Sequence, residues 1–244
     1  MTERILSWEG CLNVRDLGGH VTEAGRTTQF GAVVRADSVR HLTPAGWDAL
    51  VDYGVRTIID LRRHDELERD PPLDAPVDIV HVPIDDGYYH ELQSIWRQEG
   101  SDEPSIYDTY VRMLDLLAPN FARAIETVAD APEGAVVVHC FAGKDRTGLT
   151  CAMLLRLVGT SVADIADDYG LSADNLRTII DPWAAAARDE TERKLRLRIG
   201  SSPPQVMRDV LAELERRHGG VRGYLMESGT TEDTLDRIRA RLLG

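Results

Sequence analysis

The segment Val136-Val137-Val138-His139-Cys140-Phe141-Ala142-Gly143-Lys144-Asp145-Arg146-Thr147-Gly148 constrains this chain more than any other, because it sets a cysteine and an arginine at the two ends of one short loop. The apolar, β-branched run before Cys140 reads as a buried strand and residues 149–158 read as a helix, so the loop ends at a helix N-terminus. Backbone N–H groups at such an end point toward an anion. Five residues separate Cys140 from Arg146. That is enough backbone to curl around a tetrahedral oxyanion while the Arg146 guanidinium closes the ring with a planar, two-pronged grip. The predicted cradle is lined by Phe141, Ala142, Gly143, Lys144, Asp145, Arg146 and Thr147. Its positive field favours the thiolate of Cys140, which is the nucleophilic form. An inert core thiol followed by a surface arginine is the competing reading, but such a cysteine has no use for Gly143, Gly148 and Lys144 around the turn it opens.

A length of 244 residues suits one α/β domain spanning 1–244, and 43% hydrophobic residues with mixed charge is the composition of an ordinary globular chain. No run of about 18 apolar residues is present to span a bilayer. The start, Met1-Thr2-Glu3-Arg4-Ile5-Leu6, lacks the apolar stretch of a signal peptide, so the cytoplasm is the default expectation, with leaderless secretion left open. A formal charge of −13 argues against nucleic acid and anionic membrane surfaces as partners, and it repels anionic ligands at long range. Anion recognition then rests on local groups, Lys144 and Arg146 first, with Arg62 and Arg63 as further candidates. Cys11, Cys140 and Cys151 are too few for a disulfide framework. Cys151 reads as a small core residue, or as a resolving thiol for oxidised Cys140.

Residues 30–35, 55–61, 78–83 and 135–139 read as strands, and 106–117, 119–129, 149–158, 205–218 and 231–243 as helices. Thr43-Pro44 is an N-cap with proline at the first helical position, and Gly54 ends that helix. Residues 62–76 read as a charged, proline-broken connection, and 85–105 as a polar loop carrying a short helix. Ser161 with Asp164 opens a helix that Gly170 interrupts, and a further segment runs from Asp174 to a break at Pro182. Residues 183–198 read as one long charged helix, either solvated or covering the site as a lid. The expected fold class is α/β, a central, mainly parallel sheet flanked by helices, with the loop at the carboxyl end of strand 135–139.

The block from His139 to Gly148 resembles the signature loop of the atypical bacterial tyrosine/serine protein phosphatase family. Asn13-Val14-Arg15-Asp16-Leu17-Gly18-Gly19 with Arg35-Ala36-Asp37-Ser38, then Val55-Arg56-Thr57-Ile58-Ile59-Asp60-Leu61-Arg62, and finally Gly223-Tyr224-Leu225 are similar to further patterns of that family. Rhodanese-like domains, the nearest different chemistry, have a shorter cysteine loop without this arginine. The resemblance implies a cysteine-dependent phosphatase fold and hydrolysis of phosphotyrosine in proteins, with dual specificity toward phosphoserine and phosphothreonine. It implies that Cys140 attacks phosphorus to form a cysteinyl-phosphate, that Arg146 and the loop amides match the equatorial oxygens, and that no metal or cofactor is needed. Thr147 is expected to offer its hydroxyl to the sulfur or to cap the helix. His139 is expected to orient the loop, and Asp16, Asp60 and Arg62 to form structural salt bridges.

Lys144 matches the position of a lysine in the loop of phosphoinositide 3-phosphatases, where it neutralises extra phosphates, so a phosphoinositide is the alternative substrate. A phosphate-binding module without turnover is the alternative outside enzymes. Two places suit a general acid. Asp85 and Asp86 follow strand 78–83, where the smaller dual-specificity phosphatases carry their acid. Asp145 sits inside the cradle, at a position resembling the loop aspartate of myotubularins, and proximity favours it. Its neighbour Arg146 is expected to keep it ionised, and its other reading is a brace that accepts backbone N–H bonds.

Overall fold

The computed structural model describes residues 3–70, 75–88, 90–92 and 106–244. Five strands form one sheet: β1 (Arg15–Asp16), β2 (Val33–Ala36), β3 (Val55–Asp60), β4 (Asp78–His81) and β5 (Ala135–His139), in the order β1-β2-β5-β3-β4. β1 is antiparallel to β2, and every other pairing is parallel. β5 therefore lies in the middle, hydrogen-bonded on both edges, which is why an unbroken apolar run can occupy it. Its side chains alternate between two apolar clusters, Val136 and Val138 on one face and Ala135 and Val137 on the other. The expected α/β architecture with a mainly parallel sheet is what the chain adopts.

The described helices are α1 (Pro44–Asp52), α2 (His64–Arg69), α3 (Ile106–Leu116), α4 (Ala118–Asp130), α5 (Arg146–Leu157), α6 (Val162–Asn175), α7 (Arg177–Ala185), α8 (Glu190–Gly200), α9 (Pro204–His218), α10 (Val221–Glu227) and α11 (Glu232–Leu243). Thr43 caps α1 as its sequence announces, accepting from Gly46 N at 3.2 Å. α5 is the buried spine: all of its residues but Arg156 are out of solvent. It and α3, α4, α6, α9, α10 and α11 contribute to the larger cluster, while α1 and Trp8 cover the opposite face with fewer side chains. No helix among the described residues is long and apolar enough to cross a membrane.

Four expectations change. α6 runs straight through Gly170, whose missing side chain lets Pro204 close in: a Cβ there would lie 2.8 Å from Pro204 Cγ. Pro182 sits inside α7 instead of ending it, and the stretch 183–198 is not one helix, since α7 ends at Ala185 and Asp189 caps a new one by accepting from Glu192 N at 2.7 Å. The connection 62–76 contains α2, and the short helix expected within 85–105 lies largely outside the described residues.

Asp168, on α6, is the buried charge on which this arrangement turns. Its carboxylate takes Arg15 Nε at 3.1 Å and Arg35 Nη1 at 2.7 Å, with Arg4 as a third partner, and its carbonyl takes Arg15 Nη2 at 2.7 Å. Burial opposes its charge, but Arg15, Arg35 and Arg4 outweigh burial and hold the carboxyl well below the usual carboxylate range. A depressed folded-state value contributes stability that is complete above the unfolded value of about 3.9 and is lost as pH falls from there toward the folded one. Asp168→Asn, which leaves two buried guanidiniums uncompensated, is expected to cost about 3–5 kcal/mol in urea unfolding at pH 7. The variant should also lose less stability than the wild type between pH 4 and pH 2.5, and an equal loss in both would remove Asp168 as the source of acid lability.

Candidate active site

Loop 140–145 joins the end of β5 to the first turn of α5. Gly143 has φ +65°, and a Cβ on it would lie 2.3 Å from Ala36 O, so the loop is pressed against the end of β2 at a point where only glycine fits. Its carbonyls are held from behind. Ser38 N donates to Phe141 O at 2.9 Å, Asn13 Nδ2 to Ala142 O at 3.0 Å and Arg35 Nη2 to Gly143 O at 2.8 Å. The amides of Phe141, Ala142, Gly143, Lys144 and Asp145 make no hydrogen bond among the described residues. A run of backbone donors with their carbonyls tied back is an anion nest.

Cys140 is buried, at 2% exposure, and Arg146, also buried, is the first residue of α5. Both terminal nitrogens of Arg146 bind Glu66, Nη1 at 2.6 Å and Nη2 at 3.0 Å, and Nη1 also binds Asp85 Oδ1 at 3.0 Å. Burial disfavours the Arg146 cation, but Cys140, Asp85 and Glu66 together hold it firmly charged. Glu66 was not singled out in the sequence, because α2 was read as connection. A capping glutamate three residues into a charged run was the available signal, and its side chain does accept from Arg63 N at 2.9 Å.

His139 and the Asp60–Arg62 pair lie side by side at the ends of β5 and β3. His139 Nδ1 donates to Cys140 O at 3.1 Å, and its Nε2 lies 3.6 Å from Asp60 Oδ2. Burial pushes the imidazole below its ordinary value despite the pull of Asp60, so it is neutral at pH 7. Arg62 Nη2 meets Asp60 Oδ2 at 2.7 Å and Arg62 Nη1 meets Asp70 Oδ2 at 3.0 Å. Asp16 differs: it accepts from Gly18 N, Gly31 N and the Tyr53 hydroxyl and forms no salt bridge among the described residues, because its position beside a glycine turn offers backbone donors first.

Thr147 also differs. Arg146 opens α5, so Thr147 lies within the first turn, and its buried Oγ1 has no hydrogen-bond partner among the described residues, neither Cys140 Sγ nor a backbone amide. Lys144 is not a mobile surface charge. It is 3% exposed and its Nζ meets Asp145 Oδ1 at 2.5 Å. Asp145 is accordingly paired with Lys144 and with the Tyr110 hydroxyl at 2.6 Å, not with Arg146 and not with backbone N–H groups. Its Oδ2 takes no hydrogen bond among the described residues. Asp85 is buried with Oδ1 on Arg146 and Oδ2 on Arg63 Nη1 at 3.3 Å. Asp86 has both oxygens on His64. Phe141 stands 59% exposed on the loop. Among the described residues, no group of three or more His, Cys, Asp or Glu side chains is arranged to hold a metal ion.

Burial, with Asp37, pushes the Cys11 thiol up, and burial pushes Cys151 up to about 12, so both stay protonated at neutral pH. Iodoacetate at pH 7 is therefore expected to modify Cys140 first, with vanadate protecting it. Peptide mapping that finds Cys11 or Cys151 carboxymethylated ahead of Cys140 would contradict an anion-accepting loop at that cysteine.

A model of the tyrosine phosphatase family matches residues 6–244. A tyrosine-protein phosphatase of Nostoc commune is 31% identical over 224 residues, covering 86% of this chain and 74% of that protein. The triple specificity protein phosphatase PtpB of Mycobacterium tuberculosis is 28% identical over 273 residues, covering 96% of this chain and 98% of that protein. With the matched region running from the first described strands to the last residue and enclosing the loop between β5 and α5, this chain belongs to the tyrosine phosphatase family.

Proposed function

We propose that the chain hydrolyses phosphomonoesters through a cysteinyl-phosphate, acting on phosphotyrosine in proteins with tolerance for phosphoserine and phosphothreonine. The observation that carries this reading is the nest of five backbone amides, unused among the described residues, with Cys140 at one end and Arg146 at the other. Cys140 Sγ attacks phosphorus as the ester P–O bond breaks, and the leaving oxygen takes a proton from a carboxylic acid. Water then attacks phosphorus as the P–S bond breaks, giving its proton back to the same carboxylate. Arg146 and the amides match the charge on the equatorial oxygens, and Glu66 with Asp85 fixes the guanidinium before substrate arrives. The mycobacterial relative, a triple specificity protein phosphatase, supports the broader specificity.

Asp145 is assigned as the acid because it alone of the three candidates keeps one oxygen, Oδ2, out of hydrogen bonding among the described residues. Asp85 is committed to two guanidiniums and serves better as a clamp on Arg146. Lys144 is paired with Asp145, and a phosphoinositide is the alternative substrate that its place in the loop supports.

Pure protein is expected to hydrolyse an aryl phosphate, and Cys140→Ser to abolish it. No turnover by the wild type would leave a phosphate-binding module, and turnover surviving in Cys140→Ser would unseat the nucleophile. Asp145→Asn should cost about 10²-fold or more in kcat on phosphotyrosyl peptide and erase the basic limb of the pH–rate profile. Asp86→Asn should keep that limb; the reverse pattern would move the acid to Asp86.

A further inference from the structure

Beneath the loop lies a cluster that the steps above do not use. Tyr110, on α3, and Tyr169, on α6, are both buried, and their hydroxyls lie 2.9 Å apart. Their rings meet edge to face, with centroids 6.1 Å and planes 78° apart. Tyr110 also donates to Asp145 Oδ1 at 2.6 Å, on the same oxygen that Lys144 Nζ reaches at 2.5 Å. A phenol has a single proton, so with the Tyr110 proton given to the carboxylate, Tyr169 must be the donor to Tyr110. The result is a one-way chain, Tyr169 to Tyr110 to Asp145.

Tyr169 is itself wedged against the loop's helix. A Cβ on Gly148 would lie 3.2 Å from the Tyr169 ring, so the ring packs on the first turn of α5. Burial, and after it Asp145, keeps the Tyr110 hydroxyl protonated far above the usual tyrosine range, and burial keeps that of Tyr169 protonated too, so both remain donors at any working pH.

We propose that Tyr110, with its proton direction fixed by Tyr169, is a positioning residue that holds Asp145 by Oδ1 and so reserves Oδ2 for proton transfer. The proposal rests on the assignment of Asp145 as the acid. A half-exposed carboxylate can rotate about χ2 and exchange its two oxygens. An ammonium with three rotatable donors can bond either oxygen from one place, whereas a hydroxyl on a buried ring keeps one direction. A proton donor confined to one oxygen and one orientation gains from proximity what a freely rotating one loses.

Tyr110→Phe and Tyr169→Phe keep the rings and remove the chain. They are to be compared with Asp145→Asn on phosphotyrosyl peptide, whose leaving group needs the proton, and on 4-nitrophenyl phosphate, whose leaving group needs it less. Tyr110→Phe is expected to lower kcat on the peptide about tenfold, with a smaller loss on the nitrophenyl ester, a shifted basic limb, and KM and vanadate affinity unchanged within about twofold. Tyr169→Phe should show the same pattern at about threefold, and the double variant should be no worse than Tyr110→Phe, because one residue acts through the other. Equal losses on both substrates, or weakened vanadate binding, would make the pair a purely structural part of the loop and overturn the proposal. If Asp145→Asn loses the basic limb while Tyr110→Phe matches the wild type, the positioning role fails alone. If Asp145→Asn keeps the limb, the acid assignment beneath it fails.

Discussion

A carboxylate taken out of water is tolerated only where opposite charge and hydrogen bonds replace the water, and Asp168 is tolerated because Arg15, Arg35 and Arg4 converge on it. Each of those arginines comes from the N-terminal segment, so satisfying one side chain of α6 pins β1 and β2 to a helix more than a hundred residues away. The arginines then reach further. Arg35 goes on to the carbonyl of Gly143, and Arg15 to Asn13 Oδ1 at 2.5 Å, whose amide nitrogen holds the carbonyls of Ala142 and Gly143. The curvature of the anion nest is thus a consequence of how a buried charge is neutralised behind it.

The next residue of the same helix works on the other end of the loop. Tyr169 packs on the start of α5 and is linked through Tyr110 to Asp145. α6 therefore supports both the amide nest and the carboxylate beside it, from two adjacent side chains. The opposite wall is α2, where Glu66 grips the Arg146 fork in two places. In a chain of net charge −13, that local pairing keeps the guanidinium fixed at a site which no global field draws anions toward. Binding then depends on displacing or sharing short-range contacts, not on steering.

The strand and helix on either side of Cys140 were legible because their signals are local: a run of three valines in a five-residue strand, and a helix apolar nearly all round apart from Thr150 and Arg156. The same logic failed where a residue acts through space. Gly170 carries the composition of a helix breaker, yet it sits where Pro204 needs room, and only the packing of α9 on α6 reveals that. The sequence assigns Lys144 to anion recognition, and its burial and its contact with Asp145 are invisible without α3 and α6 in place. Thr147 likewise follows Arg146 at the end of the loop, but its buried hydroxyl has no hydrogen-bond partner among the described residues.

From sequence alone came the identity of the loop, the two residues at its ends and the parallel sheet that presents it, since spacing and periodicity are properties of the chain itself. Tertiary structure decided which carboxylate keeps an oxygen out of hydrogen bonding, which glutamate holds Arg146 and which tyrosine holds Asp145. Those partners come from α2, α3 and α6, segments separated by tens of residues, and their pairing is set by which charged and polar groups must satisfy one another once the apolar faces have closed.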